Sequence, residues 1–267
     1  MAKQEVKPSE RICNLIPSKD TETDWSIDSG LMAGALGAVA ALPPSVDLRA
    51  TWWKVGDQGS TGSCVGWATA DGVMRYLLTN ANKLKKTERL SPRFIWMASK
   101  ETDQFTTRPE SFIETAGTAL KAAADICRKY GTVLEPRLPF TVSSNMYLGD
   151  EDTFYAEAAQ RRAASYFNAQ KDLDQWRQAL ASGKPILVGL SVDREWDTAA
   201  ERAGKLDTFQ PTTTRGGHAV CVVGYTADGR FILRNSWGTA WGDQGFAYAS
   251  PAYIQEAFFP ESYVLTV

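Results

Sequence analysis

Between Cys64 and Thr79 apolar side chains recur at helical spacing. Val65, Trp67, Ala68, Val73, Met74, Leu77 and Leu78 leave only a narrow polar stripe, Asp71, Arg75 and Thr79, at intervals of four. A helix that apolar on most of its surface is predicted to run through the middle of the protein. The segment before it, Asp57-Gln58-Gly59-Ser60-Thr61-Gly62, is turn-rich, because two glycines and small polar residues favour tight turns over regular structure. Ser63 is placed to cap the helix. Cys64 then falls in the first turn, where free backbone N–H groups and the positive end of the helix dipole favour a thiolate.

The rest of the chain divides into a helical half and a β-rich half, an α+β pattern. Residues 1–30 are polar, mixed in charge and interrupted by Pro8 and Pro17, which predicts an extended arm. LMAGALGAVAAL at 31–42 is the most apolar run, too short to span a bilayer, and the acidic flank at Asp24 to Asp28 does not suit a signal peptide. KLKKTERLSPRFIWMASK predicts an exposed turn and an amphipathic helix with Pro92 near its start, and SFIETAGTALKAAADICRKYG a loop and a helix stopped by Gly131. Residues 135–150, with Pro136, Pro139 and Gly149, read as a crossing between lobes. DTFYAEAAQRRAASYF and DLDQWRQALASG are predicted helical, and KPILVGLSV at 184–192 is predicted to be a buried strand. From His218 onward the pattern is β: HAVCVVGYT, an Asp228-Gly229 hairpin turn, RFILRNSW, QGFAYAS and ESYVLTV. The 193–215 stretch matches no template.

Size and charge narrow the function. At 267 residues the chain can bury a substantial core, as one large domain or two packed lobes. A net charge of −2, with Lys+Arg 29 against Asp+Glu 31, argues against nucleic acid or an anionic membrane as partner. Lys83, Lys85 and Lys86 read as a solvated loop. The cysteines, Cys13, Cys64, Cys127 and Cys221, form no C-x-x-C pair and have no histidine at metal-ligand spacing, so no metal and no cofactor are expected. Cys221, three residues after His218 on a strand, falls on the opposite face and reads as a small buried hydrophobe rather than a redox group.

A thiolate needs an acid–base partner, and imidazole suits that role near neutral pH. The chain has one histidine, His218, 154 residues after Cys64 in GGHAVCVVGY, and Asn235 follows 17 residues later in RNSWGTAWGDQGF. Four blocks in order, DQGSTGSCVGWA, AGTALKAAADICRKYG, GGHAVCVVGY and NSWGTAWGDQGF, carry a resemblance to the papain-like cysteine peptidases from about Leu42 to the C-terminus.

The resemblance implies a two-lobed fold: an N-terminal arm at 1–42, a helical left lobe at about 43–140 containing the central helix, and a β-barrel-like right lobe at about 141–267. It implies Cys64 as nucleophile, His218 as acid and base, Asn235 as the group orienting the imidazole, and Gln58 with the Cys64 N–H as oxyanion hole. Trp237 and Trp241 become shields of the triad or core aromatics. Ala116 and Gly117 stand where the family keeps a substrate ledge, with helix capping as the alternative. Gly217 stands where many relatives carry an acidic or polar residue, and Val65 and Gly66 replace the common Trp-Ala after the nucleophile.

The partner implied is a protein or peptide substrate. The arm has two readings: the outer edge of the fold with its apolar run packed in a groove, or a short propeptide whose small residues at 31–42 lie along the cleft. Two other functions compete with peptide hydrolysis: acyl transfer or deamidation by the same dyad, and a catalytically silent binding module. Thr61 stands where secreted relatives usually carry a disulfide-forming cysteine, which favours a reducing compartment, the cytoplasm or export without a classical signal.

Overall fold

Polar, proline-interrupted sequence leaves residues 6–60 with little regular structure. In this computed structural model, which describes residues 6–102, 116–140 and 149–267, only 3-10 turns, α1 (Ile27–Met32) and β1 (Val46–Asp47) form there. Ser26 caps α1 through its hydroxyl, which takes the Ser29 N–H at 3.2 Å. The apolar run at 31–42 neither fills a groove nor lies in the cleft. Leu36 is buried in one core with Ile27 and Phe167 and Leu31 packs partly against it, while Met32 and Leu42 are 84% and 42% exposed and residues 37–45 are largely bare. Ala and Gly side chains offer too little area to hold such a run against a surface.

The central apolar stretch forms one unbroken helical run: α2 (Cys64–Gly66), a π-helical segment at Trp67–Met74, and α3 (Arg75–Asn80). Ser63 does not cap it, because its hydroxyl instead meets that of Thr61 at 2.6 Å. The polar stripe is not a solvent face. Asp71, Arg75 and Thr79 are all buried, and the Asp71 carboxylate takes Arg75 at 3.0 Å, Arg89 at 2.9 Å and Arg234 at 2.6 Å. Arg75 and Arg234 also donate to the carbonyls of Trp52 and Lys54, so the hub ties the helix, the chain entering it and the β-rich half together.

Around the helix pack α4 (Pro92–Thr102), opened by its proline, and α5 (Leu120–Lys129), closed by Gly131, whose N–H returns to the Ile126 carbonyl at 3.0 Å. The sequence expectations at 111–115 and 141–148 lie outside the described residues. α6 (Glu151–Ala159) joins the same helical core through Phe154 and Ala158. It ends well before residue 167, because Ser165–Asn168 forms β2, in register with Thr266 to Tyr263; the ladder and the aromatic pair Tyr166–Tyr263 outweigh the helical pattern read there.

α7 (Leu173–Ala181) is capped by Asp172 and leads to β3 (Ile186–Val192). The 193–215 stretch holds three short 3-10 turns and β4 (Lys205–Leu206). β5 (Gly216–Tyr225), β6 (Phe231–Arg234) and β7 (Phe246–Ala249) follow, with Asp228-Gly229 turning the β5–β6 hairpin. Then come α8 (Pro251–Ala257), where the pattern had shown only strands, and β8 (Phe258–Thr266). The strand order is β2-β8-β3-β5-β6-β7-β4, with β1 on β5 and antiparallel pairing except at β4–β7.

Strand β5 separates two cores. Ala219, Cys221 and Val223 face the helical run, while Val220 and Val222 face Trp176, Ile186 and Val188 on the other side. Cys221 is thus the buried hydrophobe its spacing implied.

Candidate active site

Cys64 and His218 come from opposite sides of that boundary. Cys64 opens the helical run, which packs on β5, and the Ala219 backbone, one residue after His218, is among the groups that favour its thiolate. The helix N-terminus therefore meets the strand carrying the histidine.

His218 Nε2 lies 2.8 Å from Asn235 Oδ1. The same oxygen accepts the Ser236 N–H at 2.8 Å, so it acts as an acceptor and Nε2 carries the proton. Nδ1 is buried, with no hydrogen-bond partner among the described residues. A neutral ring in this tautomer keeps Nδ1 free to take a proton.

Gln58 is fully buried and pinned at both ends of its amide. Oε1 accepts the Ser236 hydroxyl at 2.8 Å, and Nε2 donates to the Thr61 carbonyl at 2.8 Å. One Nε2 hydrogen remains unassigned. The Gln58 N–H reaches the Ser236 carbonyl at 2.8 Å and the Gly238 N–H the Gly56 carbonyl at 3.0 Å, so the turn before Cys64 is zipped to the loop after Asn235.

Two indoles flank the imidazole and a third packs behind them. Trp237 lies 4.9 Å from the His218 ring, Trp196 lies edge-on at 5.6 Å, and Trp241 stacks on Trp196 at 5.3 Å. Trp196 comes from the stretch that matched no sequence template.

The arm covers this site. The Leu15 N–H donates to the Gly217 carbonyl at 2.9 Å and the Ile16 N–H to the Thr118 carbonyl at 3.1 Å, so Cys13–Ile16 bridges the strand before His218 and the segment before α5. A Cβ on Gly117 would strike the Asn14 carbonyl, and one on Gly216 the Cys13 carbonyl. Only glycine admits a backbone at that range. Ala116 does not face the arm's hydrogen bonds; its carbonyl takes the Trp96 indole N–H at 2.9 Å. Gly217 packs under the Phe259 ring, and Leu15 fills the space above Gly189. Arg11 pairs with Asp57 and reaches the Trp237 carbonyl at 3.2 Å. Leu15 and Ile16, an apolar pair in a polar arm, were the one sequence sign of this docking.

Burial sets the proton inventory. It pushes the Cys64 thiol up to about 11 despite three N–H groups that favour the thiolate. It pulls His218 down to about 4, against the Asn235 hydrogen bond and assisted by Arg215 and Arg11. Thiol and imidazole are therefore both neutral beneath the arm, where the first-turn position alone had favoured an anion. All four cysteines are free thiols. No helix among the described residues is long and apolar enough to cross a membrane, and no group of three His, Cys, Asp or Glu among them is placed to hold a metal.

The sequence profile described as papain family cysteine protease matches residues 42–256. A cathepsin L-like proteinase of Fasciola hepatica is 25% identical over 212 residues, covering 77% of this chain and 60% of that protein. The chain therefore spans less than two thirds of that relative's length. Two solved structures share the fold. Xylellain, a cysteine protease from Xylella fastidiosa, superposes with a TM-score of 0.77 at 24% identity, covering all of both chains. Digestive procathepsin L2 proteinase from the larval midgut of Tenebrio molitor gives 0.72 at 20% identity, over 98% of this chain and 80% of its own. With four-fifths of its length matched in one continuous span, the chain belongs to the papain family of cysteine proteases.

Proposed function

We propose that this chain is a cysteine endopeptidase acting through Cys64, His218 and Asn235, and that it is made as a latent form with its own arm in the substrate groove. The observation that carries the reading is the 2.8 Å His218–Asn235 bond, which leaves Nδ1 unpartnered on the strand against which the Cys64 helix packs.

The steps follow from those atoms. Once the arm leaves, water and substrate reach the site, and the Cys64 proton passes to Nδ1. The sulfur attacks the scissile carbonyl, and the oxyanion develops toward the Cys64 N–H and the spare Gln58 Nε2 hydrogen. His218 gives its Nδ1 proton to the leaving amine, and the intermediate collapses to a thioester. Nδ1 then takes a proton from water, whose oxygen displaces the sulfur and releases the acid. Asn235 keeps the ring in one tautomer and one plane throughout.

The latent state rests on the arm's two backbone hydrogen bonds to Gly217 and Thr118, one on each wall, which are of the kind an extended peptide makes in a groove. A proform among the structures with this fold supports the same reading.

Treating the chain with an active-site-directed epoxide before and after arm removal tests both parts. Adducts on Cys64 and peptide hydrolysis should appear only in the arm-free protein. An arm-free, folded protein that neither labels nor cleaves would sink the proposal.

A further inference from the structure

Behind the imidazole runs a chain of buried polar contacts that reaches no substrate surface. Asp193, fully buried, accepts the Tyr253 hydroxyl at 2.6 Å, and its other oxygen accepts the Gln210 N–H at 2.6 Å. The Tyr253 oxygen in turn accepts the Trp196 indole N–H at 2.8 Å. The Trp196 carbonyl accepts the Trp241 indole N–H at 2.9 Å. Asp193 also caps the 3-10 turn carrying Trp196, so both the backbone and the ring of that tryptophan are fixed by one carboxylate.

The ring so fixed stands at 84° to the His218 imidazole, 5.6 Å centre to centre, and at 5.5 Å from Trp237, which closes the other side. No polar side chain of this relay touches the imidazole. Its effect is steric and dielectric: the indole edge limits ring rotation and keeps water from the Nε2–Oδ1 bond, which is stronger where water is excluded. A core without catalytic duty would fill this space with aliphatic carbon. Here a carboxylate and a phenol are buried instead, and their mutual hydrogen bond and those to Gln210 and Trp196 offset the cost of desolvating them.

We propose that Asp193, Tyr253 and Trp196 form a positioning relay that holds the His218 ring in the plane its proton transfers require. The relay rests on the proposed role of His218. The charged groups acting on the imidazole are Arg215 and Arg11, and those facing Asp193 are Tyr253 and Glu195. None of the former belongs to the relay, so altering it leaves the local charges in place.

His218 is the chain's only histidine, so its Cε1–H resonance can be followed in the intact protein without turnover. In Tyr253→Phe the indole N–H loses its acceptor and the ring is released. Water entering behind His218 should raise its titration midpoint by about one pH unit and speed Nε2–H exchange at least roughly tenfold. Trp196→Phe, which keeps an aromatic ring but no N–H, should behave the same way and serves if the first variant does not fold. Phe154→Leu, in the helical core, should lower the melting temperature without moving the titration. A folded Tyr253→Phe or Trp196→Phe protein with wild-type titration and exchange would overturn the relay, as would an equal shift in Phe154→Leu. If the relay variants shift as stated while the arm-free wild type cleaves no peptide, the positioning stands and the proposed activity falls.

Discussion

His218 Nε2 and Asn235 Oδ1 meet at 2.8 Å between the start of β5 and the end of β6, two paired strands of one sheet. The third partner, Ser236 N–H, holds the amide oxygen toward the ring. Asn235→Ala should lower kcat with little change in KM, by a factor within the roughly 10²–10⁴ a positioned acid–base group contributes. Steady-state kinetics on a peptide substrate, with the arm removed, reads this directly.

Gln58 has the opposite dependence on environment, since its amide is locked before any substrate arrives. Gln58→Ala should cost about 10²–10³ in kcat while epoxide labelling of Cys64 persists. Loss of labelling as well would mean that the residue supports the nucleophile's fold rather than the oxyanion.

Asp71 is fully buried and faces three guanidinium groups. Burial would raise its carboxyl, but Arg234, Arg89 and Arg75 overcome it and hold the group below the ordinary range. A depressed folded pKa contributes stability that is present above the ordinary carboxylate value and lost as pH falls through the folded one. Asp71→Asn should therefore lower the urea-derived stability by about 3–5 kcal/mol at neutral pH, and the gap should close in strong acid.

Glu261 works in the other direction. It accepts the Ser18 N–H at 3.0 Å and the Ser18 hydroxyl at 2.5 Å, yet burial, with Asp24 nearby, pushes its carboxyl up to about 7 from 4.5. A raised folded pKa contributes stability that is complete below the unfolded value and lost as pH rises through about 7. Thermal midpoints should fall between pH 5 and pH 8 in the wild type, by the equivalent of on the order of 3 kcal/mol, and stay flatter in Glu261→Gln.

Limited proteolysis should cut first within residues 37–45, where the backbone is exposed and extended between the Leu36 anchor and β1. The arm should stay attached after the cut. Arg11 with Asp57, Ser18 with Glu261, and Asp24 with Lys121 all lie upstream of the break. A nicked protein that elutes as one species and remains inactive is the expected result.

Much of this architecture was legible in the residues. A central helix shows in its density of apolar positions, and the Cys64, His218 and Asn235 blocks carry chemistry that few other patterns share. What stayed hidden is what depends on partners distant in sequence. The role of the Asp71 stripe shows only when Arg234 arrives from 163 residues away. Ser165–Asn168 looks like the end of a helix until β8 supplies a ladder. Trp196, in a segment without periodicity, acquires its place from Asp193 and Tyr253. The small-residue run at 31–42 suggested a cleft-lining strand, whereas Leu15 and Ile16, with side chains large enough to bury, are the residues that dock.

Strand β1 pairs with Tyr225 and Gly224, seven residues along β5 from His218, about 23 Å at about 3.3 Å per residue. The bare linker thus ends at the far end of that strand, away from the histidine of its own chain. Under the proposed activity, a cut in that linker by the protein itself would be a meeting between two molecules, second order in protein. Its rate should fall on dilution, and, since the nicked arm stays attached, no self-accelerating phase should follow.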